Sequence, residues 1–389
     1  PLFIFMGYIV SNTSISKDLF TGIKAIVGRI SGGTAIASIF ACAGFGSICG
    51  SSLATASTMG KIAIPELEKQ KYSKKLATGT LAAGGTLGIL VPPSIGLVIY
   101  AVIVEASIIQ MFQAAIIPAF IAIIFFIFVI LILSKIDSSS VGEKVLMSKK
   151  EKYYAILNLI PILFIFGSII TGLSIGLFSP TPAAAVGVLI ITIYSLILRL
   201  FNKGLSKNIF FKSIYDTAST SGMIYFIVFS SEVMKSFFTR SGIPILFSNW
   251  ASVSMLDPWL ILVCVLFALI LLGLIMESLS LILIAVPFIW PILIQLNGGE
   301  YIDVASSSFG MNTEQLKIWF GIISLIIIEL GLISPPIGMN VLIISKMFDN
   351  ISSLDIYKGV LPFFIAEVFR IILIVLFPFL VLLLPNILL

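Results

Sequence analysis

The 389-residue chain consists mainly of long apolar runs separated by short polar stretches. A helix needs about 20 apolar residues to cross the hydrocarbon core of a bilayer. Four runs meet that requirement without interruption, at residues 114–134, 155–173, 182–200 and 360–386. The pattern therefore predicts an all-α polytopic membrane protein.

A fifth apolar region, from Gly33 to Ile64, is interrupted by the small polar run Gly50-Ser51-Ser52. Each of its halves is too short to cross a core about 30 Å thick. Both ends adjoin basic residues, which places them on the same side of the membrane. We therefore predict a re-entrant helical hairpin with its tip at Gly50 to Ser52. Non-helical backbone at that depth needs protein or a water-filled cavity to satisfy it.

A sixth region, from Pro258 to Leu293, is broken around residues 277–280. Its first arm is long enough to cross the membrane, so two full crossings remain an alternative to a second re-entrant hairpin. The repeat described below favours the hairpin.

Two other helical segments contain paired prolines, Pro92-Pro93 within residues 87–96 and Pro335-Pro336 within residues 330–338. Proline removes a backbone donor and disfavours helix in the residue before it. A simple kink is one interpretation. Because the pair recurs with flanking glycines in matching contexts, we predict that both helices are unwound at these points.

The landmarks occur twice in the same order: surface arm, broken hairpin, proline-broken helix and final helix. Ser16–Phe20 of the first arm is echoed by Ser206–Phe210. We therefore assign residues 1–152 to a first repeat and 153–389 to a second, which also holds two scaffold helices. Counting the crossings makes the second hairpin open to the opposite side from the first. Inverted repeats with broken helices are typical of secondary transporters.

The composition agrees with a membrane protein, since 59% of residues are hydrophobic and 11% are charged. Soluble domains carry about 25% charged residues. The chain has no histidine, which excludes histidine-ligated metal sites and Ser-His-Asp triads. Its three cysteines lie in apolar runs without ligand spacing, and we interpret them as packing residues. Transport is therefore the leading class of function.

Most of the 23 Lys and Arg residues fall in four clusters separated by apolar runs of membrane length. A nucleic-acid interface would need one continuous basic face, so the clusters indicate cytoplasmic loops instead. They are Lys17, Lys24 and Arg29; Lys61, Lys69, Lys71, Lys74 and Lys75; Lys135, Lys144, Lys149, Lys150 and Lys152; and Arg199, Lys203, Lys207 and Lys212.

Helices that break inside a membrane expose N–H groups on one side of the break and carbonyls on the other. The exposed N-termini can accept an anion, and the carbonyls can coordinate Na⁺. The anion-binding candidates are Ser52, Thr55, Ser94, Ser280 and Asn340. The sodium-ligand candidates are Gly50, Ser51, Ser52, Thr86, Gly88, Val91, Glu277, Ser278, Gly331 and Ser334. No cofactor is expected beyond Na⁺ as a coupling ion.

A charged residue inside a predicted membrane segment is costly unless it is paired or functional. Glu277 and Glu329 lie beside helix breaks and are candidates for the site, with a simple ion pair as the alternative. Glu367 and Arg370 are three residues apart on one predicted helix, and we expect them to pair with each other.

Several motifs resemble the large membrane subunit of tripartite ATP-independent periplasmic (TRAP) transporters. They are Gly50 to Gly60 with Ile64-Pro65-Glu66, Leu76 to Gly79 through Pro92-Pro93-Ser94, Thr181 to Gly187, and Glu329 through Pro335-Pro336 to Asn340. The resemblance extends over essentially the whole chain. It implies a sodium-driven importer of a C4-dicarboxylate, keto acid or sialic acid in the bacterial inner membrane.

The resemblance also implies an elevator mechanism and two partners, a small four-helix membrane subunit and a periplasmic substrate-binding protein. By position, one sodium site joins the 50–52 tip to the 88–92 break, and the other joins the 277–280 tip to the 331–335 break. Glu277 stands where the family often has aspartate near the second tip, which weakens its assignment as a ligand. The chain begins Pro1-Leu2-Phe3, and we expect a further N-terminal helix to precede it.

Three alternatives remain at this point. A symporter of the same architecture could import a carboxylate without a binding protein. An ion-conducting subunit of a respiratory complex would require a row of lysines and glutamates within the membrane, and the apolar runs contain no such lysine row. An intramembrane enzyme is the weakest alternative, because the sequence lacks both histidine and paired-carboxylate metal motifs.

Overall fold

The computed structural model describes residues 1–137, 140–142, 147–200, 204–243, 246, 256–348 and 351–387. Lys144 and Lys203 of the predicted basic clusters lie outside these ranges. The described part of the chain is helical. Its helices are α1 (Leu2–Ser11), α2 (Ile15–Val27), α3 (Gly33–Cys49), α4 (Ser52–Lys69), α5 (Lys74–Thr86), α6 (Ile95–Val104), α7 (Ile108–Ile136), α8 (Lys149–Ser174), α9 (Pro180–Arg199), α10 (Lys207–Ser241), α11 (Pro258–Gly273), α12 (Ser278–Asn297), α13 (Thr313–Ile333), α14 (Met339–Ser345), α15 (Ser353–Leu376) and α16 (Phe379–Ile387).

Six of the described helices are long and apolar enough to cross a membrane: α7, α8, α9, α12, α13 and α15. These helices are buried to different extents. In an apolar stretch of 18 residues, 94% of the residues of α13 are buried, compared with 28% in α7 and in α9. Helix α13 therefore lies at the centre of the bundle. Helices α7 and α9 present apolar side chains outward, as lipid-facing helices do.

The predicted interruptions are confirmed as breaks between helices. Gly50 and Ser51 separate α3 from α4, residues 87–94 separate α5 from α6, and residues 334–338 separate α13 from α14. Helices α3 and α4 pack against each other, and so do α11 and α12. Both hairpins also contact the proline-broken helix of their own half, α5 for the first and α13 for the second.

The predicted break at residues 277–280 is wrong in its extent, since the link between α11 and α12 occupies residues 274–277. Ser278 is already the first residue of α12, because the Glu277 side chain accepts hydrogen bonds from Leu279 N and Ser280 N. A carboxylate that satisfies N–H groups of the first turn starts a helix at that point.

The predicted span 360–386 is also wrong, because it is two helices, α15 and α16. Phe377, between them, has φ −125° and ψ 73°, which is outside the helical region. It precedes Pro378, and the residue before a proline is pushed away from helical geometry.

The predicted pairing of Glu367 with Arg370 on α15 is confirmed. Arg370 Nε donates to Glu367 Oε2 at 2.9 Å, and Arg370 Nη1 donates to the carbonyl oxygen of Pro118 at 3.1 Å. Both side chains are 2% exposed. The pair satisfies two buried charges and joins the final helix of the second half, α15, to that of the first half, α7.

The two halves interlock through small residues. Helix α5 packs against α15, and α13 packs against α7. Gly79 on α5 and Gly359 on α15 are so close that a Cβ added to Gly79 would lie 2.1 Å from the Gly359 carbonyl oxygen. Close approach at small residues is the usual way in which membrane helices associate. The interlocking brings the helix breaks of both halves into one buried region.

Candidate functional site

The tip of the first hairpin is a two-residue turn. Gly50 has a left-handed φ of 58°, and its N–H donates to the Gly46 carbonyl at 2.7 Å. Glycine adopts this conformation without the steric cost that other residues meet. Ser51 then starts α4, since its hydroxyl accepts the N–H of Ala54 at 3.4 Å. Ser52, the first helical residue, is 1% exposed.

This tip lies directly against the break between α5 and α6. A Cβ on Gly46 would lie 2.4 Å from Gly88 Cα, and a Cβ on Gly50 would lie 2.8 Å from the Ile95 nitrogen. The structure therefore brings the predicted 50–52 tip and the start of the predicted 88–92 segment together. Gly46 and Gly50 lie one helical turn apart, and a larger side chain at either position would separate the two breaks.

Three oxygen atoms converge on the open side of Gly88. A Cβ placed there would lie 2.6 Å from Thr55 Oγ1, 2.9 Å from the Ser51 carbonyl oxygen and 3.0 Å from the Gly85 carbonyl oxygen. Thr55 is 0% exposed, and its hydroxyl also contacts Cys49 Sγ at 3.2 Å. Hard oxygen donors from two helix breaks form the type of environment that holds Na⁺ in transporters.

The other candidates of the first half have intrahelical or capping contacts. Thr86 Oγ1 donates to the Ala83 carbonyl at 2.6 Å. Ser94 caps α6, donating to the Ile89 carbonyl and accepting the N–H of Leu97. Val91 is half-buried, its N–H donates to the Leu87 carbonyl at 3.1 Å, and no described contact brings it to the hairpin tip.

Asn340, on α14 of the second half, reaches the broken helix of the first half. Its Nδ2 donates to the Ala82 carbonyl at 3.3 Å, while Oδ1 is buried without a hydrogen-bond partner. A Cβ on Gly85 would lie 2.9 Å from both Asn340 Nδ2 and Ala56 Cβ. Asn340 is therefore one helical turn from the oxygen cluster at Gly88.

The tip of the second hairpin is anchored by side chains. Glu277 Oε2 accepts the N–H groups of Leu279 at 3.1 Å and Ser280 at 3.2 Å. Ser278 Oγ donates to Glu329 Oε1 at 2.6 Å, across from α12 to α13. Ser280 is half-buried in the first turn of α12. The Glu277 side chain thus caps a helix, and the tip is attached to α13 through Glu329.

The second proline break repeats the glycine-and-oxygen pattern. A Cβ on Gly331 would lie 2.7 Å from the Gly273 carbonyl carbon, so α11 and α13 are in backbone contact. Gly338 has a φ of 58°, and its Cβ would lie 3.0 Å from the carbonyl oxygens of Leu332 and Ser334. The Ser334 hydroxyl donates to the Leu330 carbonyl at 2.6 Å, and no described contact joins Ser334 to the hairpin tip.

The described contacts thus join Gly50, Ser51, Thr55 and Gly88 in the first half, and Ser278 with α13 in the second. Sequence reasoning missed Gly46 and Gly85, which set the approach of the backbones, and it left Glu329 outside its ligand set. The glycine spacings 46/50 and 85/88 were the available signal, because such spacing puts small residues on one helix face.

Comparisons with known proteins agree with this architecture. The chain is 29% identical to the C4-dicarboxylate TRAP transporter large permease protein DctM of Pseudomonas aeruginosa, over 99% of this chain and 85% of that protein. It is 28% identical to the sialic acid TRAP transporter large permease protein SiaM of Vibrio cholerae, again over 99% and 85%.

Among solved structures, the fold is similar to the crystal structure of the Alcanivorax borkumensis YdaH transporter, with a TM-score of 0.60. The alignment covers 96% of this chain and 83% of that one at 12% identity, so it supports the fold alone. The profile of the tripartite ATP-independent periplasmic transporter DctM component matches residues 1–380. The chain therefore belongs to the DctM-component family of TRAP transporters, and it is a multi-pass inner-membrane permease subunit and not an enzyme.

Proposed function

We propose that this permease subunit imports a small organic acid together with Na⁺. The observation that carries the proposal is the convergence of Thr55 Oγ1 and the carbonyl oxygens of Ser51 and Gly85 beside Gly88. These atoms come from a hairpin tip and from a broken helix. A cation bound there ties the two breaks together, which makes ion binding a condition for closing the site.

The second cation is held at the matching place in the second half. The carbonyl oxygens of Leu332 and Ser334 face the open side of Gly338, as those of Ser51 and Gly85 face Gly88. In both halves the ligands are oxygen atoms beside a helix break, the kind of place where transporters bind Na⁺.

The transported acid binds through its carboxylate at helix N-termini near the tips and at Asn340. Relatives named for C4-dicarboxylates and for sialic acid share a carboxylic acid as their common group. Backbone N–H groups at the start of a helix bind the anionic group of a ligand and make no contact with the rest of it. The substrate class is therefore a small carboxylate, and its other groups are selected elsewhere.

Two partners complete the transporter: a small four-helix membrane subunit and a periplasmic protein that delivers the substrate. The family description as a tripartite periplasmic system supports this assignment. Helices α8 to α10 also carry many exposed large apolar side chains, including Phe164, Leu189 and Phe226. Such faces require lipid or another membrane subunit around them.

Transport proceeds by an elevator movement of the hairpins and broken helices against the remaining helices. The repeats are residues 1–152 and 153–389, inverted relative to each other, with both hairpins re-entrant. Support comes from the matching contacts of each hairpin with its broken helix.

The test is uptake of a labelled organic acid into proteoliposomes that contain the chain, the small subunit and the binding protein. Replacing external Na⁺ by choline should abolish uptake. Undiminished uptake in choline would contradict sodium coupling. Uptake by the chain without the binding protein would instead favour a stand-alone symporter.

The site itself is tested by Thr55→Val, which keeps the shape of the side chain and removes its hydroxyl. We expect the sodium concentration for half-maximal uptake to rise about tenfold, because a bond to a charged group contributes about 1.5–3 kcal/mol. Thr78→Val is the matched control, since the Thr78 hydroxyl is buried but bonds only within α5. Equal sodium dependence in both variants would remove Thr55 from the site.

A further inference from the structure

The carboxyl group of Glu329 is hydrogen-bonded to the tip of the second hairpin and lies near Ser52 at the tip of the first. Glu329 is on α13, four residues before the end of the helix, and is 2% exposed. Its Oε1 accepts the hydroxyl hydrogen of Ser278, the first residue of α12, at 2.6 Å. One oxygen of the carboxyl is thus committed to the tip of the second hairpin.

The Glu329 carboxyl group also lies close to Ser52 of the first hairpin. The Ser52 hydroxyl lies near enough to act on the Glu329 carboxyl. Neither Ser52 Oγ nor Glu329 Oε2 has a hydrogen-bond partner within normal geometry, although both atoms are buried. Buried polar atoms are nearly always paired. Two buried polar atoms that are both unpaired, Ser52 Oγ and Glu329 Oε2, indicate a hydrogen bond that forms after a small movement of the tip.

The surroundings of Glu329 supply hydrogen-bond donors and helix N-termini. Ser52 and Ser278 are the first residues of α4 and α12, and the partial positive charge at a helix start favours a carboxyl group beside it. Glu277 and Glu367 are the neighbouring acidic groups. Arg370 is bound to Glu367, and no described ion pair includes Glu329.

We propose that Glu329 is a positioning residue that links the two hairpin tips, one carboxyl oxygen for Ser278 and the other for Ser52. Opening either tip leaves one oxygen of the same buried carboxyl without its partner, so closure of one tip favours closure of the other. The proposal rests on the proposed transport function, because it assigns to Glu329 the coupling of the two hairpins that enclose the site.

The test is amide hydrogen exchange on the purified full chain in lipid nanodiscs, followed at residues 50–55 and 274–281. Glu329→Ala should raise exchange at least tenfold at both tips. Ser278→Ala should raise it at the second tip and also at the first, which Ser278 does not touch. Glu329→Gln should remain near the wild type, because its amide can accept from Ser278 and donate to Ser52.

Ser324→Ala is the matched control for Ser278→Ala. Ser324 is buried on α13, and its hydroxyl bonds only to the Gly321 carbonyl, at 3.0 Å. We expect no change at either tip in this variant. If Glu329→Ala does not fold, Ser52→Ala takes its place and should raise exchange at the second tip.

Faster exchange confined to the second tip in Ser278→Ala or Glu329→Ala would overturn the link. Exchange is measured on the resting protein, without substrate or partners, so the result is independent of transport. Sodium-independent uptake would therefore contradict the proposed function while leaving this measurement valid.

Discussion

Helices α3 and α11 begin the two hairpins, and their surroundings differ sharply. In α3, 14 of 17 residues are buried, whereas in α11 five of 16 are buried. Helix α3 is rich in glycine, alanine and serine, which allow close backbone contact, while α11 is mostly leucine, valine, isoleucine and phenylalanine. Helix α3 thus lies inside the bundle, and α11 has one face toward lipid.

The attachments differ in the same way. The first tip is held by close backbone contacts of Gly46 with Gly88 and of Gly50 with Ile95. The second is held by Gly273 against Gly331 and by Ser278 on Glu329, and its arm α12 also packs against α6 and α10. Segments with fewer buried contacts open at lower free energy. Two hairpins with similar helix arrangements can therefore differ in mobility, and we expect the second hairpin to open more easily than the first.

The strongest test of this difference is Gly46→Ala. The added Cβ would lie 2.4 Å from Gly88 Cα, where backbone surrounds it and neither helix can move away. We expect destabilisation by more than about 3 kcal/mol, above the usual range for overpacking. Thermal unfolding in detergent measures it. Gly167→Ala, with no atom within 4 Å of the added Cβ, should melt like the wild type; if Gly46→Ala does so too, the buried contact is not essential.

The natural cysteines test the same contrast without mutation. Cys42 on α3 is fully buried, whereas Cys264 on α11 is exposed. A lipid-soluble maleimide should therefore modify Cys264 at least tenfold faster than Cys42, as read by mass spectrometry of peptides. Both should react after unfolding in detergent. Equal rates in the folded protein would show that the two hairpins are equally accessible.

Gly331→Ala should have a smaller effect than Gly46→Ala. Its Cβ would lie 2.7 Å from the Gly273 carbonyl carbon, but α11 can shift outward because its opposite face meets lipid. We expect about 1–2 kcal/mol of destabilisation in the same unfolding assay. A loss as large as that of Gly46→Ala would mean that the second hairpin is held as rigidly as the first.

The smallest effect is expected for Glu277→Ala, which removes the cap of α12. Loss of such a cap costs about 1 kcal/mol, so exchange should rise at the first amides of α12. Glu277→Asp keeps a carboxylate for the cap and should behave like the wild type. A changed sodium requirement with normal exchange would show instead that Glu277 is an ion ligand.

The broken helices illustrate how far local sequence predicts structure. Paired prolines and a glycine-serine run interrupt a helix wherever they occur, so the breaks at residues 87–94, 334–338 and 50–51 could be anticipated. The single Pro378 was overlooked within an apolar run, and it ends α15 through the same rule. The start of α12 was misplaced because the role of Glu277 depends on whether its side chain turns back onto its own backbone.

The contacts within the candidate site could not be predicted from the local sequence. Ser51 and Gly88 were separately identifiable from the sequence, but Gly46 and Gly85 have no chemistry of their own. Their importance comes from the atoms that face them, such as Gly88 Cα and Asn340 Nδ2. Glu329 was recognised as a costly charge and Ser278 as a sodium-ligand candidate, but the hydrogen bond between them, from one helix to another, was not anticipated.

The sequence by itself determined that the protein lies in a bilayer, where its helices are and where most of them break. Hydrophobicity decides the first two, and proline and glycine act on the local backbone to produce the breaks. The tertiary structure alone decided that Thr55 faces Gly88, that Asn340 reaches the carbonyl of Ala82, and that Ser278 donates to Glu329. These contacts join residues far apart in the chain. They depend on how closely the helices approach one another, and the order of residues does not specify that distance.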